Sequence, residues 1–379
     1  MNYVHENELL LSVARRDVEH TLVRQQLDWD YIVATARAHG LLPLLQRHIG
    51  TFECVPGNIL SCLKREAVAN SQSMLHLAGK QLRIYKLFQE HGIAVAIFKG
   101  ALLAQMAYGD MSLRQAGDID MLIGSHDFAQ ARLLLESLGY EMTPRLTSAQ
   151  LTSHISNHCE IQFMRDDWFT VVDLHWDLAP RSFVFGLKAD EVMSRLQTVS
   201  LAGTNVETFG AEDLLLYQAM HGAKHLWRRL EWITLLAESL RAAPDVDWDT
   251  LINRAANAHA TRMLALGLRL VEQFSDVPVP MCAFIDRDAT MQRMAAEIRA
   301  QIFNTYSYAD STETNLYNLR IMDRRRDVLV SALRSIFVPT LPDWQALALP
   351  SSLHPLYYAY RPLRLSKVYT LSILKTLRR

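Results

Sequence analysis

Half of the 379 residues are apolar, ample for sizeable cores and too many for a disordered chain. The 39 Lys and Arg almost cancel the 40 Asp and Glu, so no global field marks a nucleic-acid binder, although a local basic patch is not excluded. No uninterrupted apolar stretch reaches the roughly 18 residues of a membrane span.

The opening "MNYVHENELL" carries charges early and lacks the basic-then-apolar plan of a secretory leader, so a cytoplasmic protein is expected. Residues 1–92 read as a helical region. "DWDYIVATARAHGLLPLLQRHI" has apolar positions at helical spacing with a break at "HGLLP". The amphipathic stretch from "NILSCLKREA" onward stops at Gly92, which suits a C-terminal cap. "IAVAIF", 93–98, is then a short apolar run with β-branched members, the pattern of a buried strand. Lys99 and Gly100 lead into the helical "ALLAQMAYG", and "DIDMLI", 118–123, is a second strand.

"SHDFAQARLLLESLGY" reads as a helix stopping at Gly139. "HCEIQFMR" and "TVVDLHWDL" read as strands joined by the turn "DDWF". From residue 211 the chain turns helical again, in one segment running to Pro244 and another through "WDTLINRAANAHATRMLALGLRLVEQF". The last hundred residues mix helices with proline-bearing loops. The expected class is α+β (mixed α/β): a small mixed-sheet core, 93–210, flanked by N-terminal (1–92) and C-terminal (211–379) helical regions. Cys54, Cys62, Cys159 and Cys282 show no paired spacing of a zinc site or disulfide frame, and read as thiols in a reducing compartment.

Chemistry is most concentrated in "LRQAGDIDMLIG". In a strand, residues two apart share a face, so Asp118 and Asp120 project together and their repulsion raises a pKa or demands a cation. By the same alternation "VVDLHWDL" sets Asp173, His175 and Asp177 opposite Val172, Leu174 and Trp176. Upstream, the glycine of Lys99-Gly100 lets backbone N–H groups approach an anion beside a helix N-terminus. Three carboxylates on two strands, facing a glycine turn, suit hard divalent ions such as Mg²⁺ or Mn²⁺ and a triphosphate. His221 and His225 share a helix face, but the Glu of H-E-x-x-H and a third ligand are missing. With Lys224 they read as structural or phosphate-facing. The tail residues Tyr357, Tyr358, Tyr360, Arg361, Arg364, Lys367, Arg378 and Arg379 read as a packing segment with a solvated end, against the alternative of nucleic-acid stacking.

The order of strand, glycine turn, D-x-D strand and later lone Asp resembles the nucleotidyltransferase superfamily typified by DNA polymerase β. "IAVAIFKGALLAQMAYGDMSLRQAGDIDMLIG" followed by "VVDLHWDL" resembles the bacterial uncharacterised nucleotidyltransferases, and the similarity extends through "HGAKHLWRRLEW" and "LYYAYRPLRL". The K-G turn, arginine and D-x-D strand are also similar to nucleotidyltransferase toxins. The resemblance implies transfer of a nucleoside monophosphate from an NTP such as ATP to a hydroxyl, with pyrophosphate released. By position, Gly100 and Ala101 would form the nucleotide-binding turn, with Lys99 near the phosphates. Asp118 and Asp120 would hold Mg²⁺ or Mn²⁺. Asp173 would complete the site and help deprotonate the attacking hydroxyl, and Arg114 would neutralise triphosphate charge in preference to a structural salt bridge.

Ala101 stands where the superfamily turn has a second Gly or a Ser, and Leu235 where the family often has an acid. The acceptor is left open between RNA, protein and small molecule. Two alternatives remain: a kinase-like phosphoryl transferase on the same metals, and a non-catalytic nucleotide-binding scaffold.

Overall fold

The computed structural model describes residues 3–165, 170–279, 288–304 and 317–376. The turn expected at "DDWF" (166–169), Cys282, and the terminal Arg378 and Arg379 lie outside them. The fold is mixed α/β. Its main sheet has the order β1-β2-β5-β4-β3, formed by β1 (Val95–Ala96), β2 (Asp118–Ile123), β3 (Glu141–Thr143), β4 (Glu160–Arg165) and β5 (Thr170–His175). Strands β2 and β5 run parallel and the other neighbours antiparallel. A separate hairpin joins β6 (Gln197–Leu201) and β7 (Thr204–Thr208).

The alternation along these strands divides the sheet into two unlike faces. Ile119, Met121 and Ile123 of β2, Ile161 and Phe163 of β4, and Val172 and Leu174 of β5 are buried in one apolar cluster. Against them pack the second half of α5 (Gly57–Glu90), through Met74, Ile84, Tyr85 and Phe88, and Phe128, Ala131 and Leu135 of α7 (Phe128–Ser137). The other face carries Asp118, Asp120, Glu160, Gln162, Asp173 and His175, in the registers Asp120↔Asp173, Gln162↔Asp173 and Glu160↔His175.

A second, larger apolar core joins both ends of the chain. Leu9, Leu10 and Val13 of α1 (Val4–Arg15), Ile32 and Ala36 of α3 (Trp29–Ala38) and Leu44 and Leu45 of α4 (Leu42–Ile49) belong to it. So do Leu215 and Leu216 of α10 (Ala211–Lys224), Ile233 and Leu236 of α11 (Leu230–Ala242), and Leu264 and Leu268 of α13 (Thr261–Phe274). Helix α5 spans both cores, giving Ile59 and Leu63 to this one.

Two elements differ from the sequence expectation. The 93–98 run yields only the two-residue β1, because the Ile97 N–H turns away to the Glu207 carbonyl of β7 at 2.9 Å. The helix expected through "HGAKHLWRRLEW" breaks between α10 and α11, where Leu226 (φ 61°) and Trp227 (φ 50°) are left-handed. The break swings Trp227 fully into the core. Gly222 and Gly267 make room for its ring: a Cβ would meet it at 2.4 Å and 3.0 Å respectively.

Candidate functional site

The polar face of the sheet is closed on one side by the start of α6 (Gly100–Tyr108). Lys99 is its N-cap, and Gly100 adopts φ +61°, a conformation that disfavours any residue with a Cβ. Space is not the constraint there, since the nearest atom to a Cβ would be the Asp118 carbonyl oxygen at 3.9 Å. Left-handed Gly100 turns the chain from β1 into the helix, so that Lys99 points back at the sheet and its ammonium lies 2.7 Å from Asp120 Oδ1.

Asp120 is the most deeply held carboxylate. It is 3% exposed, and its backbone carbonyl accepts a hydrogen bond from Gln81 of α5 at 3.1 Å. His175 Nε2 lies 2.9 Å from the same Oδ1 that Lys99 contacts. Burial alone would favour the neutral acid. The Lys99 charge and the His175 contact outweigh it, and Asp120 stays ionised well below the usual carboxylate range. Lys99 mirrors this: burial disfavours its charge, but the Asp120 carboxylate more than restores it.

Asp118 and Asp173 behave in the opposite way. Burial first, then the Asp120 charge, raise the Asp118 pKa, with Lys99 and Arg114 partly opposing. Asp173 is pushed up to about 6 by burial, by Asp120 and Asp118, and by Glu160. Its Oδ1 is buried and has no hydrogen-bond partner among the described residues. Asp120 is therefore paired with the Lys99 ammonium, whereas burial and the Asp120 charge outweigh the cations near Asp118 and Asp173 and raise both.

On the far side of His175, its Nδ1 lies 3.0 Å from Glu160 Oε2. Glu160, Cys159 and His175 present ligand atoms within 4.8 Å of one another. This mixed sulfur, oxygen and nitrogen set suits a softer ion than Mg²⁺. The Cys159 thiol is moreover pushed up to about 12, mainly by burial.

Helix α10 lays Tyr217 and His221 over the site. Lys99 Nζ sits 5.7 Å from the Tyr217 ring centroid, and the Tyr217 and His221 rings stack at 6.0 Å. Burial, then the Lys99 charge, hold His221 neutral, well below the ordinary histidine value. His225 follows at 4.7 Å from His221, and Trp232 packs against both rings. The Lys224 charge is felt by Glu160. Tyr217 carried no motif in the sequence; only its place two helical turns before Lys224 ties it to the same stripe.

Arg114 is held differently from the sequence expectation. Its Nε lies 3.0 Å from Glu231 of α11, which also meets Arg229 at 2.9 Å. The Arg114 carbonyl is fixed by Asn70 of α5 at 3.0 Å. Glu231 is 3% exposed and sits against Gly40, where a Cβ would meet its Oε2 at 2.4 Å. Nothing in the sequence pattern connects these residues. Leu235, where the resemblance implied an acid, is buried in the large apolar core. In the tail, Arg361 and Arg364 both bind the fully buried Asp343 at 2.6 Å, which accounts for two of its cations as packing elements.

No curated protein matches the chain. Among solved structures, the antibiotic-resistance factor ANT(2'')-Ia is 15% identical, with 49% of this chain and 91% of that one covered and a TM-score of 0.32. An antigenic nucleotidyltransferase-like protein from Paracoccidioides brasiliensis is 16% identical, with 48% and 86% covered and a TM-score of 0.28. At these scores neither likeness fixes a common fold. The sequence itself is more decisive, because residues 25–276, about two thirds of the chain, match one family along their whole length. The chain belongs to the family of uncharacterised nucleotidyltransferases.

Proposed function

We propose that the protein is a divalent-metal-dependent enzyme that moves a nucleoside monophosphate from an NTP to a hydroxyl of an acceptor, releasing pyrophosphate. The observation that carries this reading is the pairing of Asp120 with Asp173 across parallel strands, with Asp118 on the same face and Asp173 Oδ1 buried without a partner. Oxygen donors short of positive charge fit Mg²⁺ or Mn²⁺. Asp118, Asp120 and Asp173 would hold the ions, which supply Lewis-acid activation of the hydroxyl and charge neutralisation at the triphosphate.

The chain's own groups divide the remaining work. The N-terminus of α6, from left-handed Gly100 through Ala101, offers backbone N–H groups and a positive dipole end to phosphate oxygens. Replacing Gly or Ser by Ala at 101 removes no backbone donor. Lys99, held 2.7 Å from Asp120, adds a point charge beside that turn. Asp173, whose buried Oδ1 has no hydrogen-bond partner among the described residues, would complete the site and help take the proton of an attacking hydroxyl. His221, held neutral, and Lys224 form the wall of the site on the α10 side. Arg114, paired with Glu231 through its Nε, lies close enough to stabilise Asp118. The domain division proposed is the sheet region, 93–210, as the catalytic unit, with the helical regions before and after it as its supports.

Incubation with Mg²⁺, a cell extract and either α-labelled or γ-labelled ATP tests the reaction class. Transfer of the α label to a macromolecule or metabolite, lost in Asp118→Asn and Asp120→Asn, is the expected result. Transfer of the γ label instead identifies a phosphoryl transferase. Failure of either label to transfer, with no metal-dependent nucleotide binding, refutes the assignment.

A further inference from the structure

We propose that Glu160 is a positioning residue of the carboxylate site, acting through His175 to hold Asp120 in the orientation that binds a divalent ion. The inference rests on the metal-dependent reading above and adds to it a residue outside the three-aspartate set. His175 sits on the central strand β5, 2% exposed, with a carboxylate at each ring nitrogen: Asp120 at 2.9 Å and Glu160 at 3.0 Å. Nε2 makes a hydrogen bond with Asp120 and Nδ1 lies within ion-pair distance of Glu160; because a carboxylate only accepts, each contact restrains the ring when the nitrogen facing it carries a proton. Phe98 meets it edge-on at 5.2 Å and fixes its plane.

The sheet register makes this chain of contacts rigid. Glu160 lies directly opposite His175 across β4 and β5, while Asp120 is opposite Asp173. His175 therefore reaches diagonally to Asp120, one pair further along the strand, and needs an anchor on its other nitrogen to stay there. Lys99 and His175 both converge on Asp120 Oδ1. With one oxygen doubly held, the carboxylate plane is set and the second oxygen is left for a cation. Partners that orient a ligand in this way typically change metal affinity about 10–100-fold when removed.

Packing gives no competing reason for Glu160. Its side chain is 39% exposed, so its replacement removes little buried surface. The same exposure makes variants at this position suitable for a binding measurement on the folded full-length chain.

The test is Mn²⁺ binding followed by calorimetry for the wild type, Glu160→Ala, Glu160→Gln, His175→Asn and the double variant. Glu141→Ala, an exposed acid on β3 of the same sheet, serves as control. The expected result is a loss of about tenfold or more in Mn²⁺ affinity for Glu160→Ala. Glu160→Gln, which keeps an acceptor oxygen, recovers most of that affinity, and Glu141→Ala leaves it unchanged. If Glu160 acts through His175, the double variant binds no more weakly than His175→Asn alone. Wild-type affinity in Glu160→Ala, or additive losses in the double variant, overturns the positioning role while leaving the metal site intact. A wild-type chain that binds no Mn²⁺ overturns both this inference and the assigned function.

Discussion

Replacing Asp173 by Asn should make the protein more stable at neutral pH, although it removes a residue of the proposed site. The ordinary value for an aspartate is 3.8, and Asp173 is raised to about 6 in the folded chain by burial and by the Asp120 and Asp118 charges. A raised carboxylate binds its proton more tightly when folded. Below the ordinary value both states are protonated and the group contributes nothing. As pH rises from about 4 to about 6 the unfolded chain ionises first, so stability is lost across that interval and stays lost above it. At about 1.36 kcal/mol per pH unit the interval corresponds to about 3 kcal/mol. Solvent reaches part of the side chain, which reduces the expectation to about 1–3 kcal/mol. Asparagine has nearly the same shape and never ionises. Urea unfolding followed by tryptophan fluorescence, in EDTA, should therefore give nearly equal stability for the two proteins near pH 3, below the ordinary aspartate value. The advantage of Asp173→Asn should grow through pH 6 and level off by pH 7.5. Added Mn²⁺ should shrink or reverse that advantage, because only the wild type retains the full carboxylate set. An Asp173→Asn protein that is no more stable at pH 7.5, or equally favoured at both pH values, refutes the account of a charge-starved third aspartate.

Three further substitutions probe the surrounding supports. Lys99→Met leaves the buried Asp120 without its ammonium and should cost about 3–5 kcal/mol by chemical denaturation, with Lys99→Arg less damaging. Gly100→Ala puts a Cβ at φ +61°; with nothing nearer than 3.9 Å to obstruct it, the penalty is conformational, about 1 kcal/mol or more. It should be accompanied by weaker nucleotide binding in equilibrium dialysis. Glu231→Ala strands Arg114 and Arg229. Because Arg229 is 39% exposed, the thermal stability loss should sit near the lower end of the range for broken buried pairs, about 2–4 kcal/mol. Mn²⁺ binding by Glu231→Ala should be unchanged, since Glu231 touches none of the three aspartates.

What the sequence made legible is what local periodicity encodes. The two-residue repeat was enough to set Asp118 with Asp120, and Asp173 with His175, on one face, because each pair lies within a single strand. Their union into one site depends on β2 and β5 lying parallel with Asp120 opposite Asp173. That register is set by the packing of the crossover between them, and no short motif reports it. The break between α10 and α11 was hidden for a related reason. The residues around Leu226 and Trp227 keep a helical pattern, and only the space above Gly222 and Gly267, supplied by distant segments, draws the indole inward. The two-residue β1 was misjudged because its missing hydrogen bond goes to the β6–β7 hairpin, which the sequence pattern did not disclose. Arg114 and Glu231 are joined by folding alone. In the sequence Glu160 is one acid after His154 and His158, with a loop-and-strand role as the default against bordering the site, and it acquires a specific partner only opposite His175.

The electrostatic arrangement also explains why one face of a small sheet can carry this much acid. If all the aspartates were matched by protein cations, the face would be stable and inert. If none were matched, burial would protonate them, and the oxygens would be poor ligands at neutral pH. The chain takes an intermediate course. Lys99 and His175 both hold Oδ1 of Asp120, the most buried member, and its carboxylate stays ionised well below the usual range. Its fixed negative charge is the largest charge acting on Asp118 and Asp173, after burial, and raises the pKa of both. On the proposed metal-dependent reading, a dication arriving there would relieve the repulsion between all three at once, and the free energy stored in the raised pKa of Asp173 would become part of its binding free energy. On the same reading protons and metal would compete for the Asp173 oxygens, so the affinity of the site would depend on pH through Asp173, whose pKa is raised, more than through Asp120, whose pKa is lowered.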